Sequence, residues 1–291
     1  LKIIVAKSAG FCWGVKRAVN MAIAAAKKNG TVYSLGELIH NPQEIKRLET
    51  LGIKKIDSIN EIPKNSTVII RSHGVPPDII KKLKEKGIFI VDATCPFVKA
   101  IQEKAISLEK EGYPVCILGN SSHPEVIGIA GHVKDPVIVE NENDIEKLPP
   151  FQKLGIVCQT TLNSELLSKF VASLSKEIKE MKLFNTICKA TKVRQEETRK
   201  LAQQVDMMIV IGGKNSSNTG KLYAISKKLN RNSFHIESAE EIDESWFKNI
   251  EKIGITAGAS TPQWIIEEVI ERIKTILKGG ETVERGLCKT T

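Results

Sequence analysis

Short apolar runs recur along the chain, each ending in a glycine or a polar loop and each followed by an amphipathic, helix-like stretch. KIIVAKSAGFC, IFIVDATC and KLFNTIC each read as a buried strand running into a cysteine: Cys12, Cys95 and Cys188. A helical pattern begins at or just after each thiol. TVYSLG, PVCILG and MMIVIGG then read as strands that end at glycine, followed by the polar loops ELIHNPQE, NSSHPEV and KNSSNTG. A further set, TVIIRSHG, LGIVCQTT and IGITAGAS, predicts strands that end in a second polar loop and lead into another helix. Strands of four to six residues that alternate with helical patterns imply βαβ units and parallel sheets.

The spacing makes this a repeat. Cys12 to His40 and Cys95 to His123 are both 28 positions, and Cys188 to Ser217 is 29. In the second set of loops the matching residues are His73, Thr160 and Ser260. The expected fold is α/β: three similar strand–helix modules with small, mainly parallel sheets. The expected boundaries are 13–95, 96–186, and 1–12 joined to 187–279, with 280–291 as a C-terminal tail. The first strand is thereby assigned to the last third. That closes the chain on itself and favours a pseudo-threefold trefoil around a centre over an open stack. Ligands of parallel sheets bind at strand C-terminal ends, where the loops and helix N-termini gather.

Three thiols from distant segments, brought to one centre, suit zinc or an iron–sulfur cluster. Structural zinc favours four ligands with close pairs in sequence, and no CxxC pair occurs here. A [4Fe–4S] cluster held by three cysteines leaves one iron open, and such an iron is a Lewis acid. Cys116 and Cys158 lie within apolar runs and are expected in the core. Cys288 lies in the tail, and no role is expected for it.

The polar loops carry His40, Asn41, His73, His123, Glu125, Gln159, Thr160, Thr161, Ser216, Ser217, Asn218 and Ser260. Imidazoles, hydroxyls, amides and helix N-termini together suit a phosphate or diphosphate. There is no GxxxxGK[ST] nucleotide loop. Glu125, the carboxylate of the His123-Pro124-Glu125 loop, is a candidate proton donor, with His123 beside it to share the proton. The plainer reading is a helix N-terminal glutamate that complements the dipole. His132 follows one of the loops, and His235 lies outside them.

Composition narrows the setting. The net charge of +9 favours acidic partners, but the lysines are interspersed with glutamates, and aromatic residues are only 5%, so no nucleic-acid stripe emerges. No apolar run reaches the length of a membrane span. The N-terminal stretch is too short and too soon interrupted for a signal peptide, so a cytoplasmic protein is expected.

Nine motifs in order, GFCWGVKRAV, LGELIHNP, RSHGVPP, DATCPFV, GNSSHPEV, CQTTL, TICKATKVRQ, KNSSNT and TAGASTP, together resemble the 4-hydroxy-3-methylbut-2-enyl diphosphate reductase family. That family performs the last step of the methylerythritol phosphate route to isoprenoids. The resemblance implies a [4Fe–4S] cluster held by Cys12, Cys95 and Cys188. It implies that the open iron takes the C4 hydroxyl of the allylic substrate. Two electrons and two protons then remove this hydroxyl as water, giving isopentenyl and dimethylallyl diphosphate. It implies that His40, His73, His123, Ser216, Ser217, Asn218 and Ser260 bind the diphosphate. Glu125 would relay protons, and Thr160 would order the hydroxyl and a water. The electron donor would be an acidic ferredoxin or flavodoxin, and a monomer is expected, with neither nucleic acid nor membrane as partner. Two other readings compete: a quinolinate-synthase-like three-cysteine iron–sulfur enzyme, and a non-catalytic basic RNA- or zinc-binding protein.

Overall fold

A computed structural model describes residues 1–277 and 282–286. The chain begins with β1 (Lys2–Val5) and α1 (Trp13–Asn29), followed by β2 (Val32–Leu35), α2 (Pro42–Thr50), β3 (Ile53–Ile56), β4 (Thr67–Ile70), α3 (Pro77–Glu85) and β5 (Phe89–Asp92). It continues through α4 (Pro96–Lys110), β6 (Val115–Leu118), α5 (Pro124–Ala130), β7 (Val137–Val139), α6 (Glu142–Ile145), β8 (Lys153–Cys158), α7 (Ser164–Leu174) and β9 (Glu180–Leu183). The last third holds α8 (Lys189–Ala202), β10 (Met207–Ile211), α9 (Ser217–Leu229), β11 (Ser233–Ile236), β12 (Lys252–Ala257), α10 (Gln263–Leu277) and β13 (Thr282–Arg285).

These strands form three small sheets with one shared order: β3-β2-β4-β5, β7-β6-β8-β9 and β11-β10-β12-β1, the last extended by β13. Every strand pair is parallel. β1 takes the place that β5 and β9 hold in the other sheets, and it pairs in register with β12 from Lys2↔Lys252 to Val5↔Ile255. The edge strands β3, β7 and β11 go beyond the three strands per module that the hydrophobic pattern predicts. One expectation needs correction. Within the expected tail 280–291, Thr282–Arg285 form an edge strand that pairs with β1. Its TVER side chains are exposed throughout and leave no apolar signature to read. Cys288 lies outside the described residues.

By packing, the chain forms two compact units: Leu1–Lys16 with Ile39–Arg47 and the chain from Lys189 onward, and Arg17–Leu38 with Leu48–Cys188. In the first unit, alternation along β1 sends Ile3 and Val5 to one face and Ile4 to the other. The former face packs under Ile265, Ile266, Val269, Ile270 and Ile273, which recur at helical spacing along α10. The latter meets Leu201 and Ala202 of α8, with Met208 between. In the second unit, Cys116, Leu118, Leu154, Ile156 and Cys158 face α7 through Leu167, Phe170 and Leu174. Val115, Ile117 and Val157 on the opposite face meet Ile101, Ala105 and Leu108 of α4 and Val126 and Ile129 of α5. Sheets covered on both faces explain why the strands read as unbroken apolar runs. Cys116 and Cys158 are fully buried, as their sequence setting predicts. Burial, and then the neighbouring Cys158, push the Cys116 thiol up to about 12.

Candidate functional site

The polar loops begin where the strands stop, and they do so in register. His40, His123 and Ser216 each lie five residues beyond the end of β2, β6 and β10. The structural counterpart in the last module is therefore Ser216; Ser217 is already the first residue of α9. His123 and Ser216 are helix N-caps: His123 Nδ1 accepts from the Glu125 amide at 3.1 Å, and Ser216 Oγ accepts from the Thr219 amide at 3.4 Å. His40 precedes the cap. Asn41 plays that part, its Oδ1 accepting from the Glu44 amide at 2.9 Å.

The second loops are in register as well, and they hold the cysteines. The carbonyl two residues past the end of β4, β8 and β12 accepts a backbone bond from each cysteine: Cys95 to Ser72 at 3.0 Å, Cys188 to Thr160 at 2.9 Å, and Cys12 to Ala259 at 3.1 Å. One residue further stand His73, Thr161 and Ser260. Thr161, one place beyond Thr160, is thus the positional match of the other two. All three cysteines are of intermediate burial. Cys95 is the N-cap of α4, while Cys12 and Cys188 directly precede α1 and α8. The Val15 amide points at Cys12 Sγ, 3.4 Å away. Helix N-termini favour the thiolate that a metal requires.

In the second unit, Glu125 stands in the first turn of α5 and is only 2% exposed. It accepts two bonds from Thr160, the amide to Oε1 and the hydroxyl to Oε2, both at 2.6 Å. Helix α5 lies on the loop after β4. A Cβ on Gly128 would stand 3.3 Å from the His73 carbonyl, and one on Gly131 would stand 2.5 Å from Pro76. That close approach sets the His73 and His123 rings edge to face, 5.3 Å between centroids. Gln159 is fully buried. Its Oε1 accepts from the Asn120 amide at 3.1 Å, and its Nε2 has no hydrogen-bond partner among the described residues.

In the first unit, Ser260 Oγ donates to the His40 carbonyl at 2.9 Å. A Cβ on Gly213 would stand 2.7 Å from that same carbonyl, so only glycine lets the β10 loop approach it. Asn41, Ser216, Asn218 and Ser260 are all buried. Neither Oδ1 nor Nδ2 of Asn218 has a hydrogen-bond partner among the described residues. An amide buried without partners costs about 1–3 kcal/mol, and it stands in the first turn of a 13-residue helix, where an anion is favoured. The orphaned amide, the hydroxyls and the helix end fit an anionic oxygen.

Sequence reasoning left three residues without a reading that the structure supplies. His132 Nδ1 lies 2.7 Å from the Gly128 carbonyl, at the end of α5. His235 Nε2 lies 2.8 Å from the Gly212 carbonyl, so it steadies the loop that carries Gly213 and Ser216. Arg71 stands one residue past β4. Burial lowers its pKa and Glu37 opposes that, and its Nη1 sits 2.7 Å from where a Gly36 Cβ would be. A guanidinium holds its charge even so, and its place in the RSHG loop was the available signal.

Three wholly parallel sheets that present buried acid, imidazole, hydroxyl and amide groups from strand-end loops define an α/β enzyme of the kind that binds ligands at strand C-termini. Comparison with known proteins narrows this further. The family model described as LytB protein matches residues 3–274. A protein of Aquifex aeolicus named 4-hydroxy-3-methylbut-2-enyl diphosphate reductase is 49% identical over 282 residues, covering 95% of this chain and 97% of the relative. A relative of the same name from Citrifermentans bemidjiense is 47% identical over 279 residues, covering 96% and 99%. Among solved structures, one titled as the (E)-4-hydroxy-3-methyl-but-2-enyl diphosphate reductase, the terminal enzyme of the non-mevalonate pathway, is 48% identical. It has a TM-score of 0.72 and covers 94% of this chain and 100% of that one. The E-1-hydroxy-2-methyl-but-2-enyl-4-diphosphate reductase of Plasmodium falciparum is 30% identical, with a TM-score of 0.91 and coverage of 100% and 95%. The chain belongs to the LytB family, and it is an oxidoreductase. Among the described residues, no helix is long and apolar enough to cross a membrane.

Proposed function

We propose that this chain reduces 4-hydroxy-3-methylbut-2-enyl diphosphate to isopentenyl and dimethylallyl diphosphate. The allylic C–O bond breaks, two electrons and two protons enter, and the oxygen leaves as water. The names of the relatives support the substrate. The observation that carries the chemistry is the threefold recurrence of one cysteine geometry: a half-buried thiol at a helix start, its amide bonded two residues past a strand end. Three equivalent soft donors, with no fourth of their kind among the described residues, fit a [4Fe–4S] cluster with one open iron, and Cys12, Cys95 and Cys188 are its ligands. When bound, the cluster supplies the electrons and a Lewis-acidic iron.

The remaining work belongs to side chains. Glu125 holds the proton that the leaving oxygen takes, delivered from a carboxylate oxygen that Thr160 orients. His123 Nδ1 accepts from the backbone amide of Glu125, which ties the imidazole to the turn that carries the carboxyl. His40, His73, His123, Ser216, Ser217, Asn218 and Ser260 bind the diphosphate; Asn218 offers unused donor and acceptor atoms. That anchorage turns diphosphate binding energy into orientation of the reacting end. The electron donor is an acidic ferredoxin or flavodoxin, a choice the +9 charge supports, and the protein acts in the cytoplasm as a monomer.

The test is an anaerobic turnover assay with reduced donor and the hydroxymethylbutenyl diphosphate. Formation of both five-carbon diphosphates supports the assignment. A protein with an intact cluster that makes neither product overturns it.

A further inference from the structure

The loops that carry Cys12 and Cys95 are gripped by side chains with no role so far, all on helices that follow a cysteine in the chain. Helix α8 starts at Lys189, directly after Cys188. Its Arg194, 4% exposed, spreads one guanidinium over two carbonyls: Nη2 donates to Gly10 at 2.7 Å and Nη1 to Ala190 at 3.1 Å. One helical turn on, Glu197 Oε2 accepts both the Ser8 amide at 2.9 Å and the Ser8 hydroxyl at 2.6 Å. An arginine and a glutamate at i and i+3 thus seize the Cys12 loop at Gly10 and Ser8, while Cys12 itself is bonded to Ala259. The same device serves Cys95. Arg17, five residues after Cys12 on α1, donates through Nη1 to the carbonyls of Ala93 at 3.4 Å and Thr94 at 3.3 Å, the two residues before that cysteine.

We infer that Arg194 with Glu197, and separately Arg17, are positioning residues that fix the direction of the Cys12 and Cys95 thiols. A loop of a few residues with a glycine at φ +101° (Gly10) has no regular structure of its own to hold a sulfur in place. A planar guanidinium holds its donors in fixed directions, where a flexible ammonium does not. The bonds to the Cys12 loop and to the Cys95 loop come from different side chains, so the two grips can be perturbed separately. The inference rests on Cys12 and Cys95 being cluster ligands, and its test is arranged so that the two ideas fail separately.

In metal-free protein, whose folding is checked by circular dichroism and thermal melting, the alkylation rates of Cys12 and Cys95 are measured side by side by mass spectrometry. Glu197→Gln and Arg194→Lys speed labelling of Cys12 by about ten-fold, the weight of one lost hydrogen bond to a charged group, and leave Cys95 unchanged. Arg17→Lys does the reverse. If Arg194→Lys does not fold, Ser8→Ala removes the hydroxyl half of the Glu197 contact; Cys12 labelling then rises, and Ser8→Thr restores it. In the reconstituted protein, the same variants shift the electron paramagnetic resonance signature of the reduced cluster without emptying it. Cysteines that respond together, as in general loosening, overturn the inference, and so does labelling of Cys12 unchanged in Glu197→Gln and Ser8→Ala. Failure of wild-type protein to take up iron would instead count against the proposed function, because the labelling needs no metal.

Discussion

The bond pair between Glu125 and Thr160 offers the sharpest single perturbation. Thr160→Val keeps the shape of the side chain and the amide bond to Oε1 but deletes the hydroxyl bond to Oε2, 2.6 Å long and beside a carboxylate only 2% exposed. A hydrogen bond to a charged group contributes about 1.5–3 kcal/mol, and the oxygen left behind is buried without that partner. For a protein of this size, the melting temperature is expected to fall on the order of 5 °C. Glu125→Gln keeps the geometry, because the Thr160 hydroxyl can turn to accept from the new amide, but it removes the titrating group. Its kcat is expected to fall by about 10²–10⁴-fold, the usual weight of a general acid, with KM little changed. Denaturation and steady-state kinetics of both single variants and the double variant close a cycle whose coupling is at least about 0.5 kcal/mol for groups in direct contact. Additive effects, or a Glu125→Gln enzyme with near wild-type kcat, would refute the claim that this pair holds the proton.

Other expectations follow from the same geometry. Asn218→Leu replaces an unpartnered buried amide, so metal-free protein should gain about 1–3 kcal/mol in urea unfolding while KM for the diphosphate substrate rises; a loss of stability would show that the amide is satisfied before substrate binds. Gly213→Ala drives a Cβ to 2.7 Å from the His40 carbonyl and should raise KM with iron content unchanged. The Asp92 carboxyl lies below its ordinary value: burial works against this, but bonds from Lys99 and Thr94 outweigh it. Its contribution is therefore present above about pH 4 and lost as pH falls through the lowered folded value, so Asp92→Asn should flatten the acid limb of the stability curve. Alkylation of folded, metal-free protein at mildly alkaline pH should label Cys12, Cys95 and Cys188 and spare Cys116, whose thiol is pushed up to about 12, and the fully buried Cys158.

Much of this was legible in the chain because the repeat is written in residues of opposite character. Buried strands such as VCIL and MMIVI are fully apolar, and the loops after them concentrate histidine, serine and asparagine, so both periods align. The edge strands are another matter. Ile53–Ile56 is buried only at its two ends, and Thr282–Arg285 is exposed throughout, so neither carries an apolar run or a clean alternation. Loop register was one residue off in two places. A count of 29 from Cys188 pointed to Ser217, and matching the second loops by their polar residues pointed to Thr160, whereas counting from strand ends pairs Ser216 with His123 and Thr161 with His73. The end of the first strand lies 23 positions after the cysteine in every module, so 28 positions from Cys188 also reaches Ser216; the end of the second lies 58, 63 and 69 positions after it, so only the strand end fixes that loop. The grips of Arg194, Glu197 and Arg17 were beyond reach, since each joins residues 76 to 189 positions apart, and no local pattern says which loop a helix will meet.

The central claim is that the three cysteines that precede the recurring helices α1, α4 and α8 give their thiols to a single cluster. It is tested most directly by counting iron and sulfide in five anaerobically purified variants: Cys12→Ser, Cys95→Ser, Cys188→Ser, Cys116→Ala and Cys158→Ala. The account predicts about four irons per chain in wild type and in the last two variants, and loss of the four-iron cluster in each of the first three. A full complement of iron in any one of those three, or zinc in place of iron in wild type, would contradict it.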